Sequence, residues 1–184
     1  MTGDTVRFGG HDVDADAEAV TLVNVAAPDL APAAGLPRLR ELRLSHTNPH
    51  RTPGGLPLDL DPLAAAPGLE VLVLRHYPVR DIGPLRALRR LRVLDLGFTP
   101  VDDIAPLDDL PALEDLDLRA TPVANLEPLH GHERLARLDI AHTRVRDLRP
   151  LHGLPALREL DVEGAPVDQA QVADLVARGV DVHG

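Results

Sequence analysis

Residues 91–112 read LRVLDLGFTPVDDIAPLDDLPA, and the phrase returns as LEDLDLRATPVANLEPLHGHER over 113–134 and as LARLDIAHTRVRDLRPLHGLPA over 135–156. Its leading triplet L-x-x-L-x-L recurs along the chain as Leu39-Leu42-Leu44, Leu69-Leu72-Leu74, Leu91-Leu94-Leu96, Leu113-Leu116-Leu118, Leu135-Leu138-Ile140 and Leu157-Leu160-Val162. From Leu69 to Leu157 the step is 22 residues four times running. The step from Leu39 to Leu69 is 30, which is 22 plus an insertion of eight near 48–57. A degenerate first copy is read at Val20-Val23-Val25, 19 residues before Leu39. A fixed period of this length overrides any element-by-element reading, because it means one structural unit stacked on itself.

The unit explains itself locally. In L-x-x-L-x-L the last two leucines alternate with polar residues, so they point inward from a short strand. The following x-V-x-D-I-x-P-L-x-x-L stretch brings the chain back along the opposite side, with Val101, Ile104, Leu107 and Leu110 filling the same core. Pro106, Pro128 and Pro150 preset φ at the start of a short helical turn, and Pro111 and Pro155 break it before the next strand. Asp81, Asp103 and Asp147 precede those turns, where a carboxylate accepts orphan N–H groups. One coil cannot bury its own apolar face, so the coils stack.

The pattern LRVLDLGFTPVDDIAPLDDLPA resembles the 22-residue class of bacterial leucine-rich repeats, the type found in internalins, and the resemblance covers roughly residues 18–166. It implies an α/β fold: a right-handed leucine-rich repeat solenoid with a parallel sheet on the concave face, short helical turns on the convex face and a capping helix at the C-terminus. It also departs from the family in one column. Thr47, Thr99, Thr121 and Thr143, with Tyr77 and Ala165 as exceptions, stand where the usual unit has Asn. A Thr hydroxyl supplies fewer bonds than the Asn amide.

The whole chain, 1–184, therefore reads as a single domain. Residues 1–19 form an N-terminal cap, 20–166 the repeats and 167–184 a C-terminal cap. In the first cap Val6-Arg7-Phe8 reads as a strand, and Asp12, Asp14 and Asp16 as a solvated acidic turn. In the last, Asp168 N-caps a helix that ends at Gly179, and Val180 and Val182 alternate around Asp181 as one last short strand beside the sheet.

Composition removes whole classes of function. The chain has 19 Arg and no Lys against 29 acidic residues, for a net charge of -10, which argues against general nucleic-acid or anionic-membrane partners. With no Lys there is no P-loop and no Schiff base, and with no Cys there are no disulfides, thiol nucleophiles or zinc–thiolate sites. No G-x-S-x-G or dinucleotide glycine pattern is present, so the sequence points to no cofactor. The start, MTGDTVRFGGHDVDADAE, is polar and acidic, without an address signal, and the resulting expectation is a cytoplasmic protein. Internalins, by contrast, are secreted or wall-anchored.

The favoured reading is a non-catalytic intracellular module that binds a protein partner through its concave face and the rim at the strand ends. Outward strand positions supply Arg43, Val73, Asp95, Asp117, Asp139 and Asp161, with Arg119 and Arg137 in flanking columns. The four aspartates stack as either a solvated ladder or an acidic track for a basic partner. The rim column supplies His46, His76, Phe98, Ala120 and His142, with Tyr77 beside it. Expected contact residues are thus Arg43, Arg75, His76, Tyr77, Phe98, Asp117, Arg119, Asp139 and His142. Replacing Phe98 or Arg119 is expected to weaken binding without changing stability. His130, His132 and His152 are read as exposed on the convex turns. The alternative is an enzyme or metal-dependent accessory protein whose site is the rim cluster His46, His50 and His76, beside the insertion.

Overall fold

The computed structural model describes residues 4–25, 28–46 and 57–184. An antiparallel hairpin of β1 (Thr5–Phe8) and β2 (His11–Asp14) opens the chain. An eight-stranded sheet follows, ordered β3 (Ala19–Val23), β4 (Glu41–Ser45), β5 (Val71–Val73), β6 (Val93–Asp95), β7 (Asp115–Asp117), β8 (Arg137–Asp139), β9 (Glu159–Asp161) and β10 (Asp181–His183). Every pair in it is parallel. Between strands the chain returns through short 3-10 turns, such as Gly83–Ala87, Ala105–Asp109 and Arg149–Gly153. This is the expected α/β solenoid with sheet on one side, turns on the other, and helix α1 (Gln169–Ala177) closing the C-terminal end.

The core is a continuous aliphatic stack. Leu94, Leu96, Val101, Ile104, Leu107 and Leu110 are all buried, as are their equivalents Leu116, Leu118, Val123, Leu126 and Leu129 one coil on. The 3-10 turns carry Pro in their first turn, where the missing N–H costs nothing. Asp81, Asp103 and Asp147 sit one residue before the cap position. Each accepts the amide two residues on, from Gly83, Ala105 and Arg149 at 2.8, 2.8 and 3.0 Å. The Thr column works as a reduced ladder: Thr99, Thr121 and Thr143 are buried, and each hydroxyl donates to the carbonyl three residues back at 2.7 Å.

Three local expectations are corrected. β3 pairs Val20 with Leu42 and Leu22 with Leu44, so the first copy is built on Val20 and Leu22 at a full step of 22, not on Val20-Val23-Val25. Val23 falls on the outward side of the alternation and is 48% exposed. The acidic segment at Asp12 and Asp14 is a strand rather than a turn, because Val13 between them packs on the core. Finally, His132 is buried, not exposed. It occupies the column of Leu110 and Leu154, with its ring nitrogens 3.1 Å from the Leu129 carbonyl and 3.0 Å from that of Leu107. His152 is half-buried, with Nε2 3.6 Å from Asp174 on α1, whereas His130 is exposed.

The caps follow from local chemistry. Asp168 accepts the Ala170 amide at 2.9 Å to start α1, and Gly179, at φ +88°, ends it in the left-handed conformation that a side chain resists. Gln171 on α1 accepts the Leu148 amide at 2.6 Å, fastening the cap to the last full coil. β4 pairs directly with β5, so the sheet runs unbroken past the insertion. Most of the insertion, with Thr47 and His50, lies outside the described residues.

Candidate functional site: the concave face and its rim

Each aspartate of the ladder has two jobs. Its Oδ1 accepts the backbone amide two residues on: Gly97 for Asp95, Arg119 for Asp117, Ala141 for Asp139 and Glu163 for Asp161, all at 2.8–2.9 Å. That bond turns the chain out of the strand. The Oδ2 atoms face two arginines. Arg75 donates to Asp95 at 2.9 Å and to Asp117. Arg119 repeats the arrangement two coils on, donating to Asp139 at 2.9 Å and Asp161 at 2.7 Å, with Glu163 at 3.6 Å. The four stacked carboxylates are therefore bridged in pairs by the chain's own guanidinium groups, which offsets the repulsion expected of adjacent like charges.

The intervening column positions make room for those arms. Gly97 lies beneath Arg75, and a Cβ there would stand 3.1 to 3.3 Å from Asp95, Asp117 and Arg75 atoms. Ala141 is the corresponding residue under Arg119. Burial, then the neighbouring Asp95, pushes the Asp117 carboxyl up to about 6 in spite of Arg75. Elsewhere on the face Arg43 pairs with Glu41 at 2.5 Å and Arg137 with Asp115 at 2.6 Å. A second set runs along the strand entry side, where Arg92 bridges Glu70 and Glu114 at 4.0 and 2.7 Å. A shallow depression of about 310 Å³ lies over Asp115, Asp117, Asp139, Glu159 and Asp161.

The rim residues share an unusual backbone. His76, Phe98, Ala120 and His142 all have positive φ, between 55 and 66°, and Gly164 closes the column at 67°. The left-handed turn arises because each coil must leave its strand sharply, and it costs a non-glycine residue about 1–2 kcal/mol. The turn also aims these side chains out of the solenoid. Phe98 is 41% exposed, stacks on the His76 ring at 4.5 Å between centroids, and has the Arg75 guanidinium carbon 5.7 Å from its ring centre. Burial, followed by Arg75, lowers the His76 pKa. His142 is exposed further along the rim. Beside Phe98 a groove of about 430 Å³ is lined by Pro57, Tyr77, Pro78, Arg80, Thr99 and Pro100.

Tyr77 is not a surface contact. It is 1% exposed, and its hydroxyl donates to the Val25 carbonyl at 2.9 Å. A Thr in that column reaches only its own coil, whereas the longer phenol crosses to the first one. The two described rim histidines of the cluster take different ring partners. His76 stacks on Phe98, while His46 meets Tyr77 edge-on at 6.3 Å. His50 lies outside the described residues. Among the described residues no group of three or more His, Cys, Asp or Glu is placed to hold a metal ion. No helix among them is long and apolar enough to cross a membrane.

Comparison with protein-family models and with curated proteins finds no match. Solved structures do match. An internalin (inlF) from Listeria monocytogenes superimposes with a TM-score of 0.77 at 23% identity, over 95% of this chain and 50% of that one. Internalin C2 from the same species gives 0.75 at 25% identity, over 93% and 74%. A leucine-rich repeat protein of Leptospira interrogans gives 0.68 at 15% identity, over 84% and 45%. The chain thus spans about half the length of the first of these. The likeness corrects the cytoplasmic placement read from the polar start, because internalins are proteins of the secreted and cell-surface class. Their fold is typical of non-catalytic protein–protein interaction modules. The chain has the leucine-rich repeat solenoid architecture of these internalin structures.

Proposed function

We propose that the chain binds a protein partner without catalysis, through the rim at the C-terminal strand ends and the adjoining concave face. One observation carries the reading. Phe98 is a large, exposed aromatic held at φ +61°, in a backbone region that penalises it, and its side chain fills no coil. Hot spots at interfaces favour an aromatic or Arg anchor beside a pocket, and here Phe98 has Arg75, His76 and the 430 Å³ proline-lined groove around it. Val71 and Val93 are half-buried and Val73 buried on the adjoining concave surface, an apolar floor bounded by Arg43. His142 extends the contact along the rim, and the outer edges of Asp117, Arg119 and Asp139 form its polar side.

Cross-linking mass spectrometry on partners captured from the native organism tests this. Phe98→Ala should weaken the captured complex by roughly tenfold or more, as removal of a hot-spot side chain does, while His130→Ala on the convex side should leave it unchanged. Equal losses from both, or cross-links confined to the convex turns, would overturn the assignment.

A further inference from the structure

A solenoid sheet, unlike a barrel, has two ends. Among the described residues β3 is the last strand at the N-terminal end, and it pairs with β4 alone. Glu41 donates to the Glu18 carbonyl at 3.0 Å, and Asn24 donates to that of Ser45 at 2.9 Å, so the even-numbered residues of this strand bond to β4. Strand alternation turns the amides and carbonyls of Ala19, Thr21 and Val23 the other way. Edge strands are usually blunted by Lys, Pro, a bulge or a covering element. β3 reads Ala-Val-Thr-Leu-Val, with no such device. β2 does not cover it by pairing either, since its ladder is to β1.

The two strands instead face each other across a groove of about 600 Å³, lined by His11 to Asp14, Ala17 and Ala19 to Val23. Its floor is apolar: Val20 and Leu22 are core residues and Val13 packs against the same core. Its surroundings are acidic, with Asp4, Asp12, Asp14, Asp16 and Glu18 against Arg7, which lies 4.0 Å from Asp12, and His11.

We propose that this groove is a β-augmentation site for an extended segment of a partner protein in which apolar and cationic residues alternate. The free amides and carbonyls of Ala19, Thr21 and Val23 supply the main-chain bonds, alternate apolar side chains enter over Val13, Val20 and Leu22, and the cations meet Asp12 and Asp14. A second copy of this chain is a poor occupant, because its own open edge, β10, would bring Asp181 against these carboxylates. The site lies at the end of the sheet and is independent of the Phe98 rim.

The test uses the full chain and capped peptides of about six residues, the length of an ordinary strand: alternating Arg–Val, alternating Glu–Val, and Arg–Val with alternate amides N-methylated. Arg–Val should bind, slow amide exchange at Thr21 and Val23, and weaken in about 0.5 M salt; the other two should not bind. Thr21→Pro removes an outward N–H at an edge position where Pro is tolerated, and it should lower Arg–Val affinity about tenfold while the chain stays folded. Asp12→Asn should weaken binding without altering the exchange pattern. If Thr21→Pro does not fold, the N-methylated peptide decides on the unaltered chain. No binding by Arg–Val, equal binding by Glu–Val or the N-methylated peptide, or an affinity untouched by a folded Thr21→Pro would overturn the proposal. So would sedimentation showing self-association through this edge.

Discussion

Replacing Arg119 tests the ion ladder most directly. Its side chain is 25% exposed and holds Asp139 and Asp161, whose side chains are each 26% exposed, with Glu163 further out. Partly exposed pairs of this kind are worth about 0.5–1 kcal/mol each. Losing both also leaves two carboxylates on strands ~4.8 Å apart, a repulsion of about 1 kcal/mol even at the dielectric constant of water. Arg119→Ala should therefore cost about 2 kcal/mol, and Arg119→Glu, which adds a further carboxylate, about 4 kcal/mol. For a chain of this size these figures lower the melting temperature by about 4–8 °C and 8–16 °C. This reverses the expectation from sequence that Arg119 could be exchanged without loss of stability. Thermal melts followed by circular dichroism at low ionic strength and in about 1 M salt check it, since screening should shrink both deficits by half or more. An Arg119→Glu protein melting within about 2 °C of the parent at low salt would show that the bridged ladder contributes nothing.

Further outcomes follow from the same geometry. The folded pKa of Asp117, about 6, lies above its unfolded value, so its contribution to stability is complete below about pH 4 and is lost as pH rises through 6. Asp117→Asn should therefore gain on the parent between pH 5 and 7.5, by about 1–2 kcal/mol after allowance for Arg75, in paired denaturant titrations; a pH-independent difference would contradict this. Leu116→Ala, at a fully buried central position, should cost about 2–5 kcal/mol, and a loss under about 1 kcal/mol would contradict the packing. Ala120→Gly, at φ +55°, should stabilise by about 0.5–1 kcal/mol in urea unfolding, whereas a loss would mean that the left-handed turn carries no strain.

What the sequence made legible was whatever repeats every coil. The inward columns, the proline-led turns and the capping helix each follow from one residue type recurring at one spacing, so the period alone places them. Features that span two coils or replace a column member escaped. By sequence Tyr77 reads as a surface aromatic, because its burial depends on a carbonyl in another coil, that of Val25, 52 residues away. Polarity alone puts His132 on the surface, although its column neighbours Leu110 and Leu154 mark it as a core position. The sequence puts the first repeat three residues out of register, because Val20-Val23-Val25 matches the triplet by composition while strand pairing selects Val20 and Leu22. The rim column gave no sign of positive φ, since Gly164 is the one glycine among its members.

The Arg and small-residue alternation of Arg75, Gly97, Arg119 and Ala141 is a second period, two coils long, laid over the first. It exists because a guanidinium that bonds carboxylates of two successive coils must pass over the position between them, which is kept small: a Cβ at Gly97 would already stand 3.3 Å from Arg75, and Ala141 carries only a methyl. The consequence reaches function. Charges that read as available to a partner are engaged within the coil stack, while the rim offers the exposed Phe98 and His142 beside a proline-lined groove. Stability and recognition should then respond differently to ionic strength. Salt loosens the ladder and lowers the melting temperature, whereas partner binding at the Phe98 groove, resting on buried apolar area, should hold nearly constant over the same range. If binding instead falls in step with the ladder, the exposed edges of the paired charges, and not the aromatic rim, are what the partner reads.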